Sequence, residues 1–299
     1  MKTKLLKRRI VLSIILFLPF STVYAESNLN MKHCKSVKIA AQAASKVYEV
    51  WSQSKRGSKP VRQKRFGSFS MLDYFMGNKD FGGLAVLFEY QGQCILSWKG
   101  TDFGDMRDIK ADLFSLKGSS CKGVGQAKNK NVGNCGFGFK RQHDSIITSG
   151  LYSKLLKHVK TKCKNKKLII TGHSLGGALA SIFSATIAVS NPILSQRSLT
   201  VTFGAPRVFG HKDGNRLHKV LKDRFLRIVS YGDPITSLPR AKVNFSMHFG
   251  EVIYLTTTGM LGEDWTYKSK HQNFSAYWNP SSVSKHKIQN YIDRVNRCH

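Results

Sequence analysis

Leu168-Ile169-Ile170-Thr171-Gly172-His173-Ser174-Leu175-Gly176-Gly177-Ala178 is the stretch that decides the fold. Leu168 to Thr171 is a short apolar run with the length of a buried strand, and Leu175 to Ser190 is an Ala-rich helical run that ends before Asn191-Pro192. Between them Gly172 to Gly176 has the form G-x-S-x-G. The two glycines remove side chains that would collide in a tight strand–turn–helix, and the turn pushes the serine hydroxyl out at the C-terminal edge of a sheet. The same turn sets the N-terminus of the next helix, with its free N–H groups, beside the reacting centre. Ser174 is therefore the candidate nucleophile.

Working outward, the pattern repeats strands and helices. Cys34 to Gln53 carries Val37, Ala40, Ala41, Ala44, Val47, Tyr48 and Trp51 at helical spacing. Leu84 to Tyr90 and Cys94 to Lys99 flank Gln91-Gly92-Gln93 as a hairpin. Arg141 to Lys162 reads as one helix, residues 213 to 222 as another, and Ser284 to Arg297 as a terminal helix. Leu199 to Phe203, Phe225 to Ser230 and Val252 to Thr257 read as strands. The alternation predicts an α/β fold with a central, largely parallel sheet flanked by helices. Residues 55 to 65 read as an exposed basic loop, and residues 117 to 138, with six Gly and four Lys, as a flexible one.

The chain has 299 residues, 48 Lys plus Arg and 17 Asp plus Glu, for a net charge of +31. Hydrophobic residues at 41% exclude a chain disordered throughout. Lys2, Lys4, Lys7, Arg8 and Arg9 precede the apolar run Ile10 to Phe20, and Val23-Tyr24-Ala25 offers small residues ahead of a cut before Glu26. That is the pattern of a secretory signal peptide over residues 1–25, leaving a single domain over 26–299. The cut removes five basic residues and no acid, so 43 basic against 17 acidic residues remain, or +26. No later segment reads as a membrane span. The six cysteines, at 34, 94, 121, 135, 163 and 298, lack zinc spacing and fit three disulfides in an exported protein, secreted or periplasmic. No metal or cofactor is expected.

A serine nucleophile needs a base and a group to orient it, in the chain order Ser, Asp or Glu, His on this fold. Asp233, in Gly232-Asp233-Pro234 directly after the strand Phe225 to Ser230, falls at the same sheet edge as Ser174. His248, His271, His286 and His299 all follow it, and periodicity does not separate them.

Six ordered segments resemble the class 3 (fungal-type) lipase family of the α/β-hydrolase superfamily. They are Trp98 to Thr101, Gly172 to Ala180, Thr202 to Val208, Asp233 to Pro239, His248 to Val252 and His286 to Ile292. The resemblance implies an α/β-hydrolase fold with the triad Ser174, Asp233 and His286. It also implies an oxyanion hole from Thr101 and the Leu175 amide, with Asp112 supporting the Thr101 hydroxyl. A lid follows Thr101, in which Phe103, Met106 and Ile109 form one apolar face. His248 becomes a buried structural histidine. Cys121–Cys135 closes the glycine loop and Cys34–Cys298 joins the termini. Of the three expected disulfides Cys94–Cys163 is the remaining pair, and it fits a fold in which the strands entering Thr101 and Ser174 are neighbours. The chain departs from the family pattern at Lys99 (usually Arg), Thr236 (usually Pro), Lys285 (often an acid) and Lys287.

The implied activity is hydrolysis of lipid carboxylic esters, of lipase or phospholipase A type, at a membrane or droplet interface. Net charge tilts the reading towards anionic phospholipid, with anionic vesicles bound and hydrolysed faster than zwitterionic ones. The rival is a catalytically silent basic protein that binds membrane or nucleic acid. It predicts a broken triad and aromatics interleaved with the basic runs, but the runs at 55–65 and 157–167 are nearly free of aromatics. No specific nucleic acid is expected as a partner.

Overall fold

Successive residues of a strand face opposite sides of its sheet. In Ile95-Leu96 and Ile169-Ile170 both faces are apolar and fully buried. Such strands require cover on both sides. The computed structural model describes residues 21–54, 61–78, 82–102, 118–230, 232–239, 247–255, 265–268 and 284–297, with side chains outside 21–32 and 265–268. Its main sheet has the order β1-β2-β3-β4-β7-β8-β9-β10-β11. The strands are β1 (Arg65–Phe66), β2 (Phe69–Met76), β3 (Leu84–Tyr90), β4 (Gln93–Trp98), β7 (Leu168–His173), β8 (Ser198–Phe203), β9 (Phe225–Ser230), β10 (Glu251–Leu255) and β11 (Trp265–Lys268). β4, β7, β8, β9 and β10 run parallel, and the outer strands pair antiparallel.

Two apolar layers sandwich the sheet. On one side Ile95, Ile169, Val201 and Ile228 pack with Val37, Ala40, Ala44 and Val47 of α1 (Ser21–Gln53). On the other, Leu96, Trp98 and Ile170 pack with Leu179, Ile182 and Phe183 of α4 (Leu175–Ser190). α4 is buried almost all round, which accounts for its alanines. Further helices are α2 (Phe137–Ile146), α3 (Tyr152–Thr161), α5 (Pro192–Gln196), α6 (His211–Leu221) and α7 (Ile288–Val295). α7 packs against α1.

Three expectations change. The helix over 141–162 is two helices, α2 and α3, separated by a π turn at Ile147–Leu151. Gly150 there takes φ +90°, outside helical backbone. Residues 118–136 are ordered rather than a flexible loop: β5 (Gly118–Lys122) and β6 (Asn131–Gly136) form an antiparallel hairpin. Its Cys121, Val132 and Cys135 are buried, and the Val124 amide donates to Ser190 Oγ at the end of α4. The terminal helix is shorter, α7 following a turn of 3-10 helix at 284–286.

Cys94 is bridged to Cys163, Cα to Cα 5.5 Å, and Cys121 to Cys135, 6.0 Å. Cys34 is also disulfide-bonded; the Cys34–Cys298 pairing ends at Cys298, outside the described residues. The apolar run 10–20 lies outside them too. Among the described residues, no helix is long and apolar enough to cross a membrane.

Candidate active site

β7 ends at His173 and α4 begins at Leu175, so Ser174 makes the whole turn. Its backbone sits at φ 58°, ψ −127°. Left-handed backbone of this kind costs a non-glycine residue on the order of 1–3 kcal/mol and persists only where the surroundings fix it. They do. The Ser174 amide donates to Phe203 O at 2.9 Å, and the Gly177 amide donates to Ser174 O at 2.9 Å. A Cβ on Gly172 would lie 2.2 Å from Gly176 O, and one on Gly176 would lie 2.1 Å from Trp98 O. Both glycines are demanded by backbone contact. Leu175 is the first residue of α4, where an amide has no acceptor within the helix.

Asp233 follows β9, and His286 lies in the turn ahead of α7. Both are buried, and His286 Nδ1 is 2.7 Å from Asp233 Oδ2. With the carboxylate as acceptor, the imidazole carries its proton on Nδ1 and leaves the Nε2 lone pair available. Asp233 Oδ2 also accepts the Tyr291 hydroxyl at 2.5 Å, while Oδ1 accepts the Ile235 amide at 2.9 Å. Tyr291 in turn accepts the Ser230 amide at 3.1 Å. Burial, then the Asp233 charge, raises the Tyr291 hydroxyl well above the usual phenol range, so it remains a donor.

Ser174 Oγ and His286 Nε2 are both buried without a hydrogen-bond partner among the described residues. They line one pocket of about 170 Å³ together with Ser45, Tyr48, Thr101, His173 and Ile288. His173 Nε2 donates to the His286 carbonyl at 2.6 Å, and its Nδ1 is 3.3 Å from the Tyr48 hydroxyl. Burial, and secondarily His286, holds His173 well below the usual imidazole range, so it is neutral. Tyr48 is pushed above the usual phenol range by burial and by Asp102.

The structure thus brings Ser174, Asp233, His286 and Thr101 to the C-terminal edge of the parallel strands. His248 is elsewhere: its Nε2 donates to Thr236 O at 2.8 Å. Phe103, Met106, Ile109, Asp112, His271 and His299 lie outside the described residues. Among the described residues no His, Cys, Asp and Glu side chains converge as a metal site.

Sequence reasoning missed the supports. Lys99, standing where the family has Arg, bonds Gly100 O at 3.0 Å and Asp102 Oδ1 at 3.0 Å. Its ammonium lies 4.6 Å from the Trp51 ring centroid, and Trp51 Nε1 donates to Asp102 Oδ2 at 3.0 Å. This cluster ties α1 to both neighbours of Thr101. Tyr291 was visible in the sequence as the aromatic that follows His286 in the family-like segment His286 to Ile292, but nothing there joined it to Asp233. Tyr291→Phe is expected to lower kcat about tenfold with KM little changed, since a hydrogen bond to a buried charge is lost while the ring still fills its place. Steady-state kinetics on a soluble ester check this; an unchanged kcat would reduce Tyr291 to packing.

Residues 95–243 match the family model described as lipase (class 3). The triacylglycerol lipase OBL1 of Ricinus communis is 35% identical over 111 residues, 35% of this chain and 21% of that protein. The chloroplastic phospholipase A1 PLIP2 of Arabidopsis thaliana is 34% identical over 113 residues, 35% of this chain and 15% of that protein. The chain therefore spans about a fifth of the length of the curated relatives it matches. Among solved structures, lipase II from Rhizopus niveus is similar with a TM-score of 0.63 at 18% identity, covering 94% of this chain and 98% of that one. Lip2 lipase from Yarrowia lipolytica gives a TM-score of 0.63 at 15% identity, covering 83% and 90%. Those likenesses carry the α/β-hydrolase fold; through the matched residues 95–243, which hold Thr101, the Ser174 turn and Asp233, the chain belongs to the class 3 lipase family.

Proposed function

We propose that the protein is an exported hydrolase of lipid carboxylic esters that works through Ser174, His286 and Asp233. The observation that carries this reading is a pairing. A serine hydroxyl and an imidazole Nε2, each buried and without a partner among the described residues, open on one pocket, and a buried carboxylate holds the imidazole from behind.

In this reading His286 Nε2 takes the Ser174 proton as Oγ attacks the ester carbonyl. The Leu175 amide and Thr101 face the developing oxyanion, and losing one such donor costs about 3–4 kcal/mol. His286 then protonates the leaving alcohol, and water, activated by the same imidazole, releases the acyl group from Ser174. Asp112 supports Thr101, and the segment with Phe103, Met106 and Ile109 covers the pocket in water and turns onto lipid. Residues 1–25 direct export and residues 26–299 form the catalytic domain. The disulfides favour an oxidising compartment, whether exterior or periplasm.

Relatives named as triacylglycerol lipase and phospholipase A1 bracket the substrate class. Among the described residues the pocket lining carries no Lys or Arg. A panel of p-nitrophenyl esters, triglycerides and defined phospholipids, run beside Ser174→Ala, tests the proposal. Release of acid from at least one lipid ester, abolished in the variant, is expected. No turnover above the variant on any of them overturns it.

A further inference from the structure

In a parallel sheet the turns that enter the strands gather at the end opposite the turns that leave them. Ser174 leaves β7, whereas Lys162, Lys164, Lys166 and Lys167 enter it, and all four are exposed. Lys167 and Ser174 are seven residues apart along extended chain, on the order of 23 Å. The neighbouring entries are basic as well. Arg197, ahead of β8, donates to Lys166 O at 3.1 Å. Arg224, ahead of β9, donates to Val220 O at 2.7 Å and reaches Ser195 Oγ at 3.5 Å. Lys219 and Lys222 are exposed beside it. Residues 145–212 contain no Asp or Glu, and Asp223 is the one acid in these turns. None of the six lysines is ion-paired among the described residues.

Two apolar side chains stand in the same rim. Ile193 is 74% and Val220 50% exposed, and with Phe137 they are the exposed large hydrophobics of the described residues. Apolar side chains set among unpaired lysines fit a surface that has phosphates above and acyl chains beneath. They gain nothing from a nucleic-acid backbone, and among the described residues the rim offers no exposed aromatic ring on which a base could stack.

We propose that this rim docks the protein on an anionic phospholipid bilayer, with the Ser174 pocket turned away from the membrane it rests on. The fold thereby separates two properties that net charge alone had joined: binding an anionic surface and hydrolysing it. Docking does not depend on the chemistry assigned to the pocket.

The test uses vesicles of ether-linked phosphatidylglycerol or phosphatidylcholine, which contain no ester to cleave, and the full chain. Cosedimentation at low salt is expected to show phosphatidylglycerol bound at least tenfold more tightly, with the gap closing as salt rises. Joint replacement Lys162→Gln, Lys164→Gln, Lys166→Gln and Lys167→Gln is expected to weaken that binding about tenfold or more. Ile193→Ser with Val220→Ser is expected to weaken it severalfold. Both variants keep the wild-type melting temperature and wild-type turnover of p-nitrophenyl butyrate, and wild type keeps that turnover while bound. Unchanged binding by the lysine variant overturns the proposal. So does loss of soluble-ester turnover on docking, which would put the pocket against the membrane. Retained vesicle binding by the Ile193/Val220 variant, with double-stranded DNA competing for the lysines, would reassign the rim to a polyanion. If wild type turns over no ester at all, the hydrolase reading fails while the binding arms still decide this one.

Discussion

Ser174→Ala is expected to lower kcat by about a millionfold, and His286→Ala by nearly as much. The double variant is expected to be hardly worse than either. In the proposed mechanism the two groups act on one proton: without the imidazole the hydroxyl is a poor nucleophile, and without the hydroxyl the imidazole has nothing to deprotonate. The residual rate is expected from the proposed oxyanion donors and from binding, which neither change touches. Loss of the Ser174 hydroxyl, which has no hydrogen-bond partner among the described residues, should move the melting temperature little, whereas loss of the fully buried His286 ring takes a partner from the buried Asp233 carboxylate and should lower it. Measurement of kcat for the three variants on one soluble ester decides the matter. Near-normal turnover in His286→Ala, with His271→Ala inactive, would move the base to His271.

Asp233→Asn is expected to cost about ten-thousandfold in kcat with a modest change in KM. The carboxylate oxygen that faces His286 Nδ1 also takes the Tyr291 hydroxyl, so it is an acceptor from two sides. If the Asn side chain presents its NH2 there, it donates where it should accept and turns the imidazole to the tautomer protonated at Nε2. That form cannot receive the Ser174 proton. If it presents its oxygen instead, the tautomer survives, but the charge that balances imidazolium is gone. Asp233→Glu, which keeps the charge and displaces the carboxylate, should recover part of the loss. A drop of less than tenfold in the Asn variant would mean that another group orients the base.

The parts of this fold that were legible in the sequence are those written locally. The turn at Ser174 is set by Gly172 and Gly176 within a five-residue window, and the strands by short apolar runs between breakers. Asp233 could be placed because it directly follows a readable strand. What could not be read depends on residues that meet only after folding. Tyr291 reaches Asp233 across 58 positions, His173 reaches the His286 carbonyl across 113, and Trp51 reaches Asp102 across 51. The 118–136 hairpin was hidden for a related reason. Its Gly and Lys content is that of a loop, and its order comes from a disulfide and from packing on α4. Gly150 likewise carried a break that the apolar periodicity of the flanking helices concealed.

The Cys94–Cys163 bridge has a consequence for where the protein can endure. It joins the start of β4 to the turn that leads into β7, the two neighbouring strands that carry Thr101 and Ser174 at their far ends. The bonded residues are 69 apart in sequence. Closing so long a loop in the unfolded chain removes roughly 4 kcal/mol worth of its freedom, a sizeable share of the 5–15 kcal/mol by which domains usually hold together. Thiols that open the bridge would return that freedom to the unfolded state without touching any group in the pocket. Durability is thus partly a property of the medium: the same fold is long-lived among oxidants and short-lived in a thiol-rich interior, whatever its substrate.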